Sequence, residues 1–81
     1  MARYSVASNL RREEVIEKAK EYFGEGGVGL SVTGRSPCCV YLEGGGGHVS
    51  VTASNGKEKT QVQIEVREWD YQARHFMDEI G

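Results

Sequence analysis

The sequence predicts a small α+β domain, with one antiparallel sheet and two helices packed on one of its faces. Three observations predict it. Two segments, Leu10 to Phe23 and Trp69 to Ile80, carry apolar residues at a 3.6-residue period. Four segments between them, and a brief one ahead of the first, alternate apolar with polar residues at a period of two. The chain has 81 residues, enough for one core and not for a second.

From the N-terminus, Tyr4 to Ala7 reads as a short strand with Tyr4 and Val6 on one side. Ser8 or Asn9 is placed to cap the helix that follows. In that helix Val15, Ile16, Ala19, Tyr22 and Phe23 form one stripe, opposite Arg12, Glu13, Glu17, Lys20 and Glu21. Glu14 and Lys18 stand at i, i+4 in the favourable order. Gly24 sits where a left-handed C-terminal residue is wanted, and Gly26–Gly27 continue the break.

The first of the four strands places Val28, Leu30 and Val32 on one side. A loop from Thr33 to Pro37 then brings Val32, Leu30 and Val28 opposite Cys38, Val40 and Leu42. Gly44–Gly47 is expected as a mobile hairpin loop that brings Leu42, Val40 and Cys38 opposite Val49, Val51 and Ala53. Asn55-Gly56 carries the signature of a type I′ turn. It leads to Val62, Ile64 and Val66, whose register is set only to within parity. If Tyr4 to Ala7 joins the sheet, its place is beside Gln61 to Arg67. The last helix has Trp69, Ala73, Phe76, Met77 and Ile80 on one stripe, read as core, with Asp70, Arg74 and Asp78 spaced to pair on its surface.

The order is therefore β-α-β-β-β-β-α. One apolar sheet face and two apolar helix stripes bury together as a two-layer sandwich, a meander with both helices on one side. The opposite sheet face is left polar and open. This order of elements resembles one half of the TATA-binding-protein fold and, loosely, a shortened helix-grip domain. The resemblance covers the whole chain in topology and rests on no motif residue. A DNA-bending saddle of that kind uses Phe wedges and basic residues around the sheet. Here the open face offers Tyr41 as its one clear aromatic.

Ten Lys and Arg against 12 Asp and Glu give a net charge of −2, and the pI is about 5.6. This balance argues against a protein that holds a polyanion by bulk charge. The cations Arg3, Arg11, Arg12, Arg35, Lys57, Lys59, Arg67 and Arg74 are dispersed, with Arg11–Arg12 as the one doublet. No apolar run approaches the roughly 20 residues of a membrane span, and no apolar leader opens the chain, so a cytoplasmic location is expected.

The two cysteines, Cys38 and Cys39, are adjacent and cannot staple distant segments, which favours a reducing compartment. Strand alternation makes Cys38 a core residue and Cys39 a semi-exposed one on the open face. Two Cys and two His, divided between faces, do not make a zinc site. The four glycines join two strands, with no Lys inside and no helix after them, unlike a phosphate-binding loop. No Ser lies in a nucleophile motif. The one cluster with acid–base character is the predicted cross-strand pair of Glu43 and His48, with Tyr41 and Ser50 one step inward. On an open sheet this is expected as a solvated pair.

The expectation is a non-enzymatic binding module without cofactor or metal. Its surface is the open sheet face, through Tyr41, Glu43, His48, Ser50, Thr52, Gln61, Gln63 and Arg67. A protein partner or a second copy of the chain is the first occupant considered. A nucleic acid, disfavoured by the acidic pI, is the alternative, and a small ligand near Tyr41, Glu43 and His48 is a further one.

Overall fold

In the computed structural model, which describes residues 2–24 and 26–81, the chain forms five strands and two helices. They are β1 (Ala2–Ser8), α1 (Arg12–Phe23), β2 (Ser31–Ser36), β3 (Cys39–Gly44), β4 (Gly47–Asn55), β5 (Thr60–Arg67) and α2 (Asp70–Ile80). The sheet order is β1-β5-β4-β3-β2, and every neighbouring pair is antiparallel. α1 lies over β3 and β4, and α2 over β5 and β1. This is the two-layer α+β arrangement read from the sequence.

The inward set is the expected one. Val40, Leu42, Val49, Val51, Val62, Ile64 and Val66 are buried against Val15, Ile16, Ala19 and Phe23 of α1 and Ala73, Phe76 and Ile80 of α2. Tyr22, Phe23 and Phe76 join the two helices, with ring centroids 5.0–5.7 Å apart, the spacing that aromatic pairs prefer. The hairpin registers Leu42↔Val49 and Val40↔Val51 are as expected. β1 takes the edge beside β5, with Tyr4↔Ile64 and Val6↔Val62 facing the helices.

The largest departure is at β2. Val28, Leu30 and Val32 alternate in sequence, yet residues 28–30 are not in the sheet. Their N–H groups close the end of α1 instead: Val28 N–H donates to Tyr22 O, Gly29 N–H to Gly24 O and Leu30 N–H to Phe23 O. Backbone groups used to satisfy helix-terminal carbonyls cannot also make a ladder. The left-handed residue of this closure is Gly29 (φ 97), and Gly24 is extended. The strand therefore starts at Ser31 and runs through the segment expected as a loop, to a two-residue turn at Pro37–Cys38. Val32 pairs with Leu42, and a bulge follows before Gly34 meets Tyr41. Val32 is left largely exposed at the sheet edge, while Leu30 keeps its place in the core.

The turns also differ. Gly45 and Gly46 are both left-handed (φ 58 and 84), and Gly44 pairs with Gly47. The four glycines thus form a tight two-residue hairpin turn rather than a mobile loop. Asn55-Gly56 is not a type I′ turn. Asn55 stays in the ladder opposite Thr60, and the chain reverses through Gly56–Lys59, with Gly56 N–H donating to Lys59 O.

Neither Ser8 nor Asn9 caps α1. The cap position is Arg11, whose N–H donates to Glu14 Oε1 (3.1 Å), so Glu14 turns back rather than pairing with Lys18. Trp69 precedes α2 as its cap residue and sends its indole N–H to Gly44 O (3.2 Å). Asp70 and Arg74 do not pair with each other. Asp70 accepts from the Tyr4 hydroxyl (3.0 Å), and the Arg74 guanidinium lies over the Tyr4 ring.

Candidate functional site

The eight residues expected on the open face do share it, and the registers arrange them in rows across the strands. Glu43, His48 and Arg67 form one row at the glycine-hairpin end. Tyr41, Ser50 and Glu65 form the next, which continues to Arg3 of β1. Cys39, Thr52, Gln63 and Ser5 follow, then Ser54 and Gln61. The rows exist because each strand sends its branched apolar residues to the helices, which forces its alternate residues outward.

The face is a surface, not a pocket. Arg3, Ser5, Ser50, Thr52, Gln63 and Glu65 line a shallow open concavity of about 450 Å³ at its centre. A second, of about 490 Å³, lies at the hairpin end between Ser31, Thr33, Glu43, Gly46, His48 and Arg67. Tyr41 is exposed and lines neither, its ring leaning over Gly34 of β2. The structure thus separates the four residues grouped as an acid–base cluster. Glu43 and His48 stay together, Ser50 belongs to the central concavity, and Tyr41 stands apart.

Arg3, Ser5 and Glu65 are contributors that the chosen site residues omitted. Glu65 sits between Arg3 and His48: Arg3 Nε is 3.2 Å from its Oε2, and His48 Nε2 is 3.9 Å from its Oε1. The second distance is beyond hydrogen bonding, so the His48 imidazole donates no hydrogen bond to Glu65. The signal for Arg3 and Ser5 was present in the sequence, because an inward Tyr4 and Val6 make their neighbours outward.

The cysteines depart from expectation. Cys38 lies in the turn, where strand alternation does not apply, and its sulfur is bonded to that of Cys39. Cys39 keeps the open-face register opposite Thr52 but is 8% exposed, buried rather than semi-exposed. His75 is on the solvent side of α2, against Tyr71 (centroids 4.5 Å apart). Among the described residues, no three of His, Cys, Asp or Glu converge as a metal ion would require.

No helix is long and apolar enough to cross a membrane. No protein-family model, curated protein or solved structure matches the chain.

Proposed function

We propose that the protein is a non-enzymatic interaction module that uses its open sheet face to associate with protein, and that its first partner is a second copy of the chain. The observation that supports this most is the one-sided cover of the sheet. Both helices pack on the apolar face, and the opposite face carries four rows of mostly polar side chains that no helix covers among the described residues.

The charge on that face favours a like surface. Arg3 and Arg67 balance Glu43 and Glu65, so two copies meeting about a two-fold axis are not repelled and can place cation over carboxylate. The area is adequate for a modest dimer. Five strands about 4.8 Å apart, averaging about seven residues of roughly 3.3 Å, cover on the order of 550 Å². Two such faces enclose on the order of 1,100 Å², just above the ~1,000 Å² that a specific interface needs. A chain with so small a core also gains stability by association.

The test is sedimentation equilibrium from micromolar to near-millimolar protein, on the native chain and on Thr52→Arg. Thr52 lies in the middle of the face, so a bulky cation there should convert a concentration-dependent dimer to a monomer. A native chain that stays monomeric throughout, or a dimer indifferent to Thr52→Arg, would refute the reading.

A further inference from the structure

We propose a second binding site, at the end of the molecule away from the glycine hairpin, that takes the phosphate backbone of a nucleic acid independently of its sequence. The juxtaposition behind it is not visible in the chain. Arg11 and Arg12 are some 45 residues from Lys57 and Lys59, yet all four line one open concavity of about 430 Å³ between the β1–α1 loop and the β4–β5 turn.

The two segments are held together by buried hydroxyls. Thr60 Oγ1 donates to Leu10 O (2.6 Å). Ser8 Oγ accepts from Leu10 N–H (3.1 Å) and donates to Ile80 O. Ser8 and Thr60 are Cα partners in the β1–β5 ladder, and both are buried. The loop that presents Arg11 and Arg12 is therefore fastened to the strand on which the lysine turn is built.

The charge is separated along the molecule. Four of its ten cations line this concavity, with Glu13 and Glu58 as the acids that line it among the described residues. The residues that line it sum to +2, or +1 with the Glu14 carboxylate that accepts from Arg11 N–H, against −4 or −3 for the rest of the chain. A net charge of −2 thus conceals a cationic end. The Nε of Arg12 is buried without a hydrogen-bond partner. Asn9 and Asn55 stand on the rim as neutral donors, the kind that accompany Arg and Lys at phosphates.

Two features select a polyanion over a single small phosphate. The cations are on a surface open to water, where one phosphate gains little, but a chain of phosphates gains from counterion release at each contact. No aromatic lines the concavity, so it offers no stacking and no base readout.

The experiment is fluorescence anisotropy with a labelled 20-mer oligonucleotide, single-stranded and as a duplex, between about 25 and about 200 mM NaCl. Four phosphate contacts on the duplex give a slope of log K against log salt of about −3.6, at −0.9 each. The double variant Lys57→Ala/Lys59→Ala should halve the slope and weaken binding roughly fifty-fold at about 0.1 M salt. Arg11→Gln, on the other segment, should weaken it independently, while Arg3→Ala on the sheet face should leave it unchanged. No binding at about 25 mM salt would overturn the proposal, as would binding that survives both variants. Loss of binding in Arg3→Ala, or equal affinity for polyglutamate of similar length, would also overturn it. The dimer and this site are on different surfaces, so Thr52→Arg separates failure of one from failure of the other.

Discussion

Gly45 and Gly46 offer a controlled comparison, because they share one turn and one left-handed conformation (φ 58 and 84) but differ in what an added methyl group would meet. A Cβ on Gly46 finds nothing within 4 Å, whereas one on Gly45 would lie 2.8 Å from Cζ2 of Trp69. For Gly46→Ala the cost is conformational only. A left-handed alanine loses about 1 kcal/mol, offset in part by about 0.5 kcal/mol from a less flexible unfolded chain. The expected net loss is therefore about 0.5–1 kcal/mol. Gly45→Ala adds displacement of the Trp69 ring and of its hydrogen bond to Gly44 O. The bond is worth about 1 kcal/mol and the disturbed packing about the same, for a total of about 2–3 kcal/mol. At roughly 6 °C per kcal/mol for a domain of this size, the Tm losses are about 3–6 °C and about 12–18 °C. Urea unfolding followed by the fluorescence of Trp69, the single tryptophan, measures both. The Gly45→Ala protein should also show red-shifted emission before any denaturant is added, and Gly46→Ala should not. If Gly46→Ala proves as costly as Gly45→Ala, or if the emission is unchanged in both, the packing of Trp69 on the hairpin is not what requires Gly45.

Three further outcomes are expected. Ser8→Ala removes a buried hydroxyl that serves both Leu10 N–H and Ile80 O, and should cost about 1–3 kcal/mol in urea unfolding; a loss under about 0.5 kcal/mol would mean water replaces it. Burial first, then the charges of Glu79 and Tyr71, raise the Tyr22 phenol above its ordinary 10.0. The unfolded chain therefore ionises first, so this stabilisation is present below about pH 10 and is lost as pH rises through the folded value. Alkaline unfolding of Tyr22→Phe should begin at higher pH than that of the native chain, and an identical onset would remove Tyr22 as the cause. Glu65→Gln removes the ion pair to Arg3 and the carboxylate charge beside His48. Because Arg3 is largely exposed and Glu65 is not buried, the loss of stability in thermal melts should be under about 1 kcal/mol; a larger loss would mean that Glu65 organises the face.

How far the fold was legible depended on how many residues voted for each feature. The open face was legible because eight inward apolar side chains on β3, β4 and β5 fix a parity, and a one-residue slip would bury Glu43 or Gln63. Parity together with the short Gly44–Gly47 connection delivers His48 opposite Glu43 and Thr52 opposite Cys39, as found. Parity cannot choose between registers two residues apart, and β4–β5 was settled by a longer turn than Asn55-Gly56 suggested. Val28, Leu30 and Val32 made a convincing strand by pattern, but pattern is blind to backbone hydrogen bonds. The end of α1 claims the N–H groups of residues 28–30. Leu30 fills the core from outside the sheet, so a correct burial coexisted with a wrong element.

The cationic end was illegible for a different reason. Charge was read along the chain, where Arg11 and Arg12 are surrounded by Glu13, Glu14 and Glu17. In space Glu13 stays beside Arg12, 3.9 Å from its Nη2, and the other two acids are engaged within the helix. Glu14 closes on Arg11 N–H, and Glu17 pairs with Lys20 (3.3 Å). The lysine turn lies beside the start of that helix because β1 runs antiparallel next to β5, which puts the β1–α1 loop and the β4–β5 turn at the same end. Strand order, not local composition, makes the patch. Any rearrangement that moved β1 to the other edge, beside β2, would leave every helix and strand intact and disperse the four cations. The two proposed surfaces therefore depend on different levels of the fold: the sheet face on the parity of single strands, and the cationic end on the order in which those strands are assembled.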